Sequence, residues 1–201
     1  MEESKTEISL ENLRLGDRHE FARLVEAYSG PLYRLALKML GNAPDAEDAL
    51  QNTFIKAFQH VNTFEGRSSL STWLYRIASN EALMLLRKRR PETAFSDLSS
   101  QDEDDQNLDP VQFTDWCCLP EEEFLSAEAR TALDRAVERL PETLRIVFVL
   151  RDIEDLSIQE TSQVRGLSET AVKTRLLRGR LRLREELSSY YGDRLTKRSK
   201  E

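Results

Sequence analysis

From residue 91 to residue 125 the chain carries eleven carboxylates and not one Lys or Arg. The segment is rich in Asp, Ser, Gln and Pro and has little hydrophobic periodicity, so it cannot bury enough apolar surface to offset the entropy of ordering it. It therefore divides the 201 residues into two stretches that must each build a core of their own. We expect a mostly disordered tether here, able to span about 115 Å if fully extended. Phe113, Trp116 and Leu119 are apolar islands within it, suited either to docking on a partner or to loose packing on a flanking domain.

Outside the tether, apolar residues recur at three- and four-residue spacing, and in the whole chain Gly and Pro are scarce at seven and six. That pattern predicts an all-α fold of two small helical domains. The first spans residues 11–90. Phe21, Leu24, Val25, Tyr28, Leu32, Leu35, Ala36 and Met39 keep helical register, with a break predicted near Gly30-Pro31. Gly41 closes that helix and Asn42 caps the next, with Pro44, Asp45, Glu47 and Asp48 in its first turn, where the helix dipole favours acids. Ala46, Leu50, Phe54, Ala57, Phe58 and Val61 form its apolar stripe. A loop over residues 64–69 precedes a helix from about Ser71 to Arg89, with Trp73, Leu74, Ile77, Ala78, Leu85 and Leu86 directed to the core.

The second domain spans residues 126–189, followed by a tail at 190–201. A helix from Ala129 to Arg139 stops at Leu140-Pro141, and a very apolar helix from Thr143 to Arg151 follows. Ser157-Ile158-Gln159-Glu160 is a capping box, in which the Ser oxygen and the Glu carboxylate each satisfy a free backbone N–H of the first turn. That short helix ends at Gly166. Ser168 caps a second one reaching about Ser188, with Ala171, Val172, Leu176 and Leu183 turned inward. Two helices joined by a tight glycine-containing turn make a helix-turn-helix. The amino-terminal part of its second helix is the part that enters a major groove. Ser168, Glu169, Thr170, Lys173, Thr174, Arg175 and Arg178 lie there. Arg and Lys can bond guanine O6 and N7, Glu can accept from cytosine N4, and a Thr methyl can pack on thymine. Arg180, Arg182 and Arg184 are placed for phosphates, which set affinity without reading sequence.

The net charge of −7 would argue against a DNA binder were it evenly spread. Without the tether the balance is +4, and residues 165–184 carry seven basic side chains against Glu169 alone. A partner feels that local arrangement rather than the mean. No apolar run approaches the roughly 20 residues needed to cross a bilayer, and the amino terminus is polar. Membrane insertion is not expected. Cys117 and Cys118 are adjacent, with no second pair to complete a zinc site, which fits a reducing cytoplasm. His19 and His60 stand in different helices without obvious partners, and no phosphate-binding glycine loop appears. Neither catalysis, a metal nor a cofactor is indicated. A stand-alone helix-turn-helix regulator remains open at this point.

The stretch Ser157 to Leu187, with Leu140-Pro141-Glu142-Thr143-Leu144-Arg145 ahead of it, resembles the promoter-reading domain of the extracytoplasmic-function sigma factors. Asp45-Ala46-Glu47-Asp48-Ala49-Leu50-Gln51-Asn52-Thr53-Phe54 and Ser71-Thr72-Trp73-Leu74-Tyr75-Arg76-Ile77-Ala78-Ser79-Asn80 resemble the family's other domain, in the family's order. The resemblance covers nearly all of the chain outside the tether. It implies a non-enzymatic subunit that binds core RNA polymerase, through the β′ coiled-coil and the β flap, and directs it to promoter DNA. Asp48, Gln51, Asn52, Phe54 and Ile55 would grip polymerase, although the family usually has Glu where Asn52 stands. Phe64, Arg67, Ser68, Arg76, Asn80, Arg87 and Lys88 would hold the unpaired strand of the minus-ten element. Arg151 would join the helix-turn-helix residues on the minus-thirty-five element. An anti-sigma factor is implied as a further partner. Thr161, Ser162 and Arg165 depart from the family's apolar or small residues on the supporting helix, so a buried hydroxyl there needs an acceptor, expected one turn back. Glu81 and Leu83 also depart, and strand contacts do not carry over to them. The acidic tether would either thread a basic polymerase channel or mask the recognition helix.

Overall fold

The computed structural model describes residues 8–89 and 127–198. The tether, with Phe113, Trp116, Cys117, Cys118 and Leu119, lies outside the described residues, as do the expectations placed on it. Among the described residues all regular structure is helical.

In the first unit, α1 (Leu10–Arg14) is capped by Ser9 and α2 (Arg18–Leu40) by Asp17, whose carboxylate accepts from the His19 and Glu20 amides. The expected break at Gly30-Pro31 does not occur: α2 runs through Pro31 without interruption. An interior proline costs about 3 kcal/mol by removing one backbone hydrogen bond and crowding the preceding turn. Beyond it, however, Leu32, Leu35, Ala36 and Met39 are at most 1% exposed, and each large apolar side chain gains roughly 1.5–3 kcal/mol by burial. Packing on both sides of Pro31 outweighs its local cost. Gly41, at φ 71°, ends α2, and the Asn42 side chain accepts from the Asp45 amide at 3.0 Å to start α3 (Ala43–His60). A 3-10 turn (Val61–Thr63) and a loop lead to α4 (Leu70–Arg89), where the Ser69 hydroxyl accepts from the Thr72 amide.

Helices α2, α3 and α4 pack on one another. Ala46, Ala49, Ala57, Ala78 and Ala82 are buried in this core, and their small side chains let the helix backbones approach closely. Phe58, expected in the core stripe, is instead 52% exposed, with one face edge-on to Phe21 at 5.1 Å. Alanine at 46, 49 and 57 fills the narrow interhelical space. Glu81, one of the departures from the family pattern, is 4% exposed and ion-paired to Lys56.

The second unit consists of α5 (Ala127–Arg139), α6 (Glu142–Phe148), a π turn (Val149–Ile153), α7 (Ile158–Arg165) and α8 (Glu169–Arg198). Both halves of the Ser157/Glu160 capping box are formed, Gly166 takes φ 65°, and the Ser168 hydroxyl accepts from the Ala171 amide at 3.1 Å. Helix α8 continues well past the expected end near Ser188. The expected α-helix from Thr143 to Arg151 is α-helical only to Phe148. In the wider π turn, Asp152 faces α8, where Arg180 Nε and Nη2 donate to its carboxylate at 2.8 and 2.7 Å. Ser162 Oγ does find an acceptor, but ahead of it, at the Leu167 carbonyl (2.6 Å). Thr161 is fully buried and its Oγ1 has no hydrogen-bond partner. The expected back-bond one turn earlier is absent, and α7 carries an unsatisfied hydroxyl at its packed face.

The two units touch each other. Helix α7 lies against α4, while α2 meets α5, α6 and the π turn.

Candidate nucleic-acid and polymerase interfaces

On α3, burial of Ala46, Ala49, Thr53 and Ala57 against the bundle turns Asp48, Gln51, Asn52 and Ile55 outward. They form one continuous exposed face, since residues three and four apart are neighbours on a helix. Phe54 does not share it: the side chain is 9% exposed and packs edge-on to Phe21 within the core. Phe58 extends the face instead. With Ile55 at 54% and Phe58 at 52% exposure, the surface offers two bare apolar side chains beside a carboxylate and two amides, a composition suited to burial against another protein. Phe58 was legible as apolar but not as exposed, because its spacing fits the core stripe equally well.

The loop and α4 make a second surface. Arg67, Arg76, Asn80, Arg87 and Lys88 are exposed, and Ser68 is half-buried. Phe64 is 7% exposed, its ring tilted against the half-buried Trp73 with centroids 5.1 Å apart and its carbonyl accepting from Arg14. The ring therefore supports the loop from inside. Arg89, at the end of α4, is held by Asp45 and the Leu40 carbonyl. Arg87 and Lys88 are exposed beside it.

On the helix-turn-helix, Ser168, Glu169, Thr170 and Lys173 are exposed at the start of α8, and Thr174, Arg175 and Arg178 are half-buried. The Thr174 hydroxyl donates to the Thr170 carbonyl at 3.0 Å, which engages its polar group within α8. Arg151 is half-buried and its Nε has no hydrogen-bond partner. Arg180, expected to meet phosphate, is committed to Asp152, and the hydrogen bonds it donates to that carboxylate hold its pKa above the usual arginine value. Arg182 and Arg184 are exposed.

Arg165 closes the gap between the last two surfaces. From the end of α7 its Nη1 donates to Asn80 Oδ1 on α4 at 3.4 Å. Burial, then the nearby guanidiniums of Arg175, Arg87 and Arg76, pull its pKa below the usual value.

Residues 24–92 match the Sigma-70 region 2 family and residues 130–183 the Sigma-70 region 4 family. The chain is 33% identical over 178 residues to the ECF RNA polymerase sigma factor SigW of Bacillus subtilis, a match covering 89% of this chain and 94% of that one. It is 32% identical to the RNA polymerase sigma-H factor of Pseudomonas aeruginosa, over 85% of this chain and 88% of the relative. Among solved structures, the sigma factor RpoE from Bartonella quintana, in complex with the anti-sigma factor NepR, superposes with a TM-score of 0.61 at 25% identity. That superposition covers 84% of this chain and 97% of that one.

Proposed function

The chain belongs to the extracytoplasmic-function sigma factors of the sigma-70 family, and from that premise we propose how its surfaces divide the work of promoter recognition. As a sigma factor it binds core RNA polymerase and directs promoter-specific initiation of transcription. Its part is binding and positioning, with no covalent chemistry of its own. Region 2, within residues 11–90, takes polymerase on the α3 face of Asp48, Gln51, Asn52, Ile55 and Phe58, with Phe54 packed beneath as support. The face suits the β′ coiled-coil because it joins bare apolar side chains to polar groups that stay satisfied at a protein interface. Arg67, Ser68, Arg76, Asn80, Arg87 and Lys88 hold the unpaired minus-ten strand, with Phe64 and Trp73 as the apolar floor.

Region 4, within residues 126–189, reads the minus-thirty-five element as duplex through Ser168, Glu169, Thr170, Lys173, Thr174, Arg175 and Arg178, with Arg151 beside them, and meets the β flap. The two promoter elements lie about two helical turns apart, roughly 70 Å at ~34 Å per turn, a distance that the acidic tether at 91–125 can span. Among the described residues no helix is long and apolar enough to cross a membrane, and we place the protein in the cytoplasm, where polymerase meets the chromosome. An anti-sigma factor is the expected regulator, by likeness to the RpoE–NepR complex.

The observation that carries this division is the presence of two separate exposed surfaces on one chain. One is the apolar-edged stripe on α3 and the other is the basic start of α8. Run-off transcription with purified core polymerase and a promoter library is the test. Transcripts should start from a defined promoter set only when the chain is added, and Ile55→Asp should abolish them by losing polymerase. Tight duplex binding without polymerase, and no polymerase-dependent initiation, would overturn the assignment.

A further inference from the structure

Helix α1 belongs to none of the surfaces above, yet it is firmly tied into the first unit. It has five residues, far fewer than the roughly 12–15 at which an isolated helix is even marginal in water, so tertiary contacts must hold it. Leu13 is 2% exposed, and the Ser9 amide donates to Glu20 Oε1 at 2.6 Å. The other oxygen of that buried carboxylate accepts from Arg23 Nη1 at 2.8 Å. Thus α1 is fixed against α2 and the 3-10 turn. From its last residue, Arg14 Nη2 donates to the Phe64 carbonyl, fifty positions along the chain. That carbonyl stands where the 3-10 turn gives way to the loop over residues 64–69. A peptide unit is planar, so holding its oxygen also orients the Glu65 amide and the direction in which the loop departs. The Phe64 amide is itself engaged, donating to the Val61 carbonyl at 3.2 Å. The far end of the loop is pinned too: Ser69 Oγ accepts from the Thr72 amide at 3.1 Å and lies 2.8 and 2.7 Å from the Ser71 and Thr72 hydroxyls. Between these pins Glu65, Gly66 and Arg67 are exposed and Ser68 is half-buried, and Gly66 takes φ 74° with open space where a Cβ would stand.

We propose that Arg14 is a positioning residue for capture of the unpaired minus-ten strand, its guanidinium holding the Phe64 carbonyl so that residues 65–68 are set before the strand arrives. The inference rests on the proposed role of Arg67 and Ser68 in holding that strand. A loop that must be ordered at the moment of binding subtracts the cost of ordering from affinity, whereas a loop already pinned incurs it during folding. Arginine suits the task. Its long stem reaches from a separate helix, and a hydrogen bond from a charged donor is roughly twice as strong as one between neutral groups. Glu20 acts one step further back, because it holds the helix from which Arg14 reaches.

Amide relaxation measured by NMR on the full chain, together with strand binding by the holoenzyme, tests the proposal. In the parent protein the amides of Glu65, Gly66 and Arg67 should show order parameters near the rigid-backbone value of about 0.85, and Arg14→Ala should bring them toward about 0.6. Alanine favours helix, so α1 should persist and the Leu13 methyl signals should stay in place. Holoenzyme formed with Arg14→Ala should bind a single-stranded oligonucleotide, carrying the minus-ten sequence recovered from the promoter library, about tenfold more weakly, the scale of losing a hydrogen bond from a charged donor. Affinity for core polymerase should be unchanged. Arg14→Lys keeps a charged donor on a long stem and should restore most of the loop order and of the strand affinity. Order parameters that Arg14→Ala leaves unaltered overturn the proposal, and so does full strand affinity in that variant. Arg67→Ala tests the underlying reading: if it leaves strand binding intact, the loop does not hold the strand, while the order parameters still decide whether Arg14 sets the loop.

Discussion

Thr161→Val should stabilise the second helical unit, and the size of the gain follows from the side chain's surroundings. Thr161 is fully buried on α7, and its hydroxyl oxygen has no hydrogen-bond partner. Valine has nearly the same volume and the same β-branching, so backbone preference and packing are little changed. What changes is the hydroxyl. On the scale of protein mutational data, burying one without a partner costs roughly 1–3 kcal/mol, and the replacement methyl gains some transfer free energy in the same space. A net gain of about 1–2 kcal/mol is expected. For a unit of this size, each kcal/mol moves the melting temperature by roughly 4–8 °C. Thermal and urea unfolding of the full chain, followed by circular dichroism, should show the transition of this unit moving up by that amount. Promoter selection should not change, because Thr161 faces the core and the residues proposed to read DNA lie on α8. An unchanged or lowered melting temperature would refute the reasoning, since it would mean that the hydroxyl is satisfied in solution.

Further outcomes follow from the other surfaces. Phe58→Asp should weaken core polymerase binding by about 2 kcal/mol or more, the scale of an interface hot spot, with no loss of helix content because half of the ring is already exposed; a binding titration with core enzyme checks it. Lys173→Ala should lower initiation from the preferred promoter by roughly tenfold, within the ~1–3 kcal/mol of a base contact, whereas Arg180→Ala should lower the melting temperature by freeing Asp152; melting curves and run-off assays separate the two effects. The Ser157 amide and hydroxyl hold the Glu160 carboxyl below the usual glutamate range. A carboxyl with a depressed folded-state pKa contributes stability above its unfolded value of about 4.3 and loses it as pH falls through the folded value. Melting curves across that acidic window should therefore be steeper with pH for the parent protein than for Glu160→Gln.

Several helix caps were legible in the residues themselves, although the break expected at Gly30-Pro31 and the ends expected near Arg151 and Ser188 were not found. Asn42 before Pro44, the Ser157/Glu160 box, Gly41, Gly166 and Ser168 all act within one turn of their own position, and such contacts depend little on the rest of the chain. The division into two all-helical units and the presence of a helix-turn-helix followed from the same local signals. Partner choice by long side chains did not. Arg180 turned to Asp152, twenty-eight residues away, and Glu154 met Arg34 at a separation of 120 and Tyr75 at 79. No local pattern encodes such pairings, because they depend on how helices sit after the core has formed. The same holds for the uninterrupted path of α2 through Pro31, the exposure of Phe58 and the lone hydroxyl of Thr161. Sequence alone determined that the chain is helical, where several of its helices are capped and which stretches are apolar or charged, since those depend on neighbours three or four residues away. Only the tertiary structure decided which of those charged groups stay outward and which pair with distant residues, because that depends on which residues burial brings together.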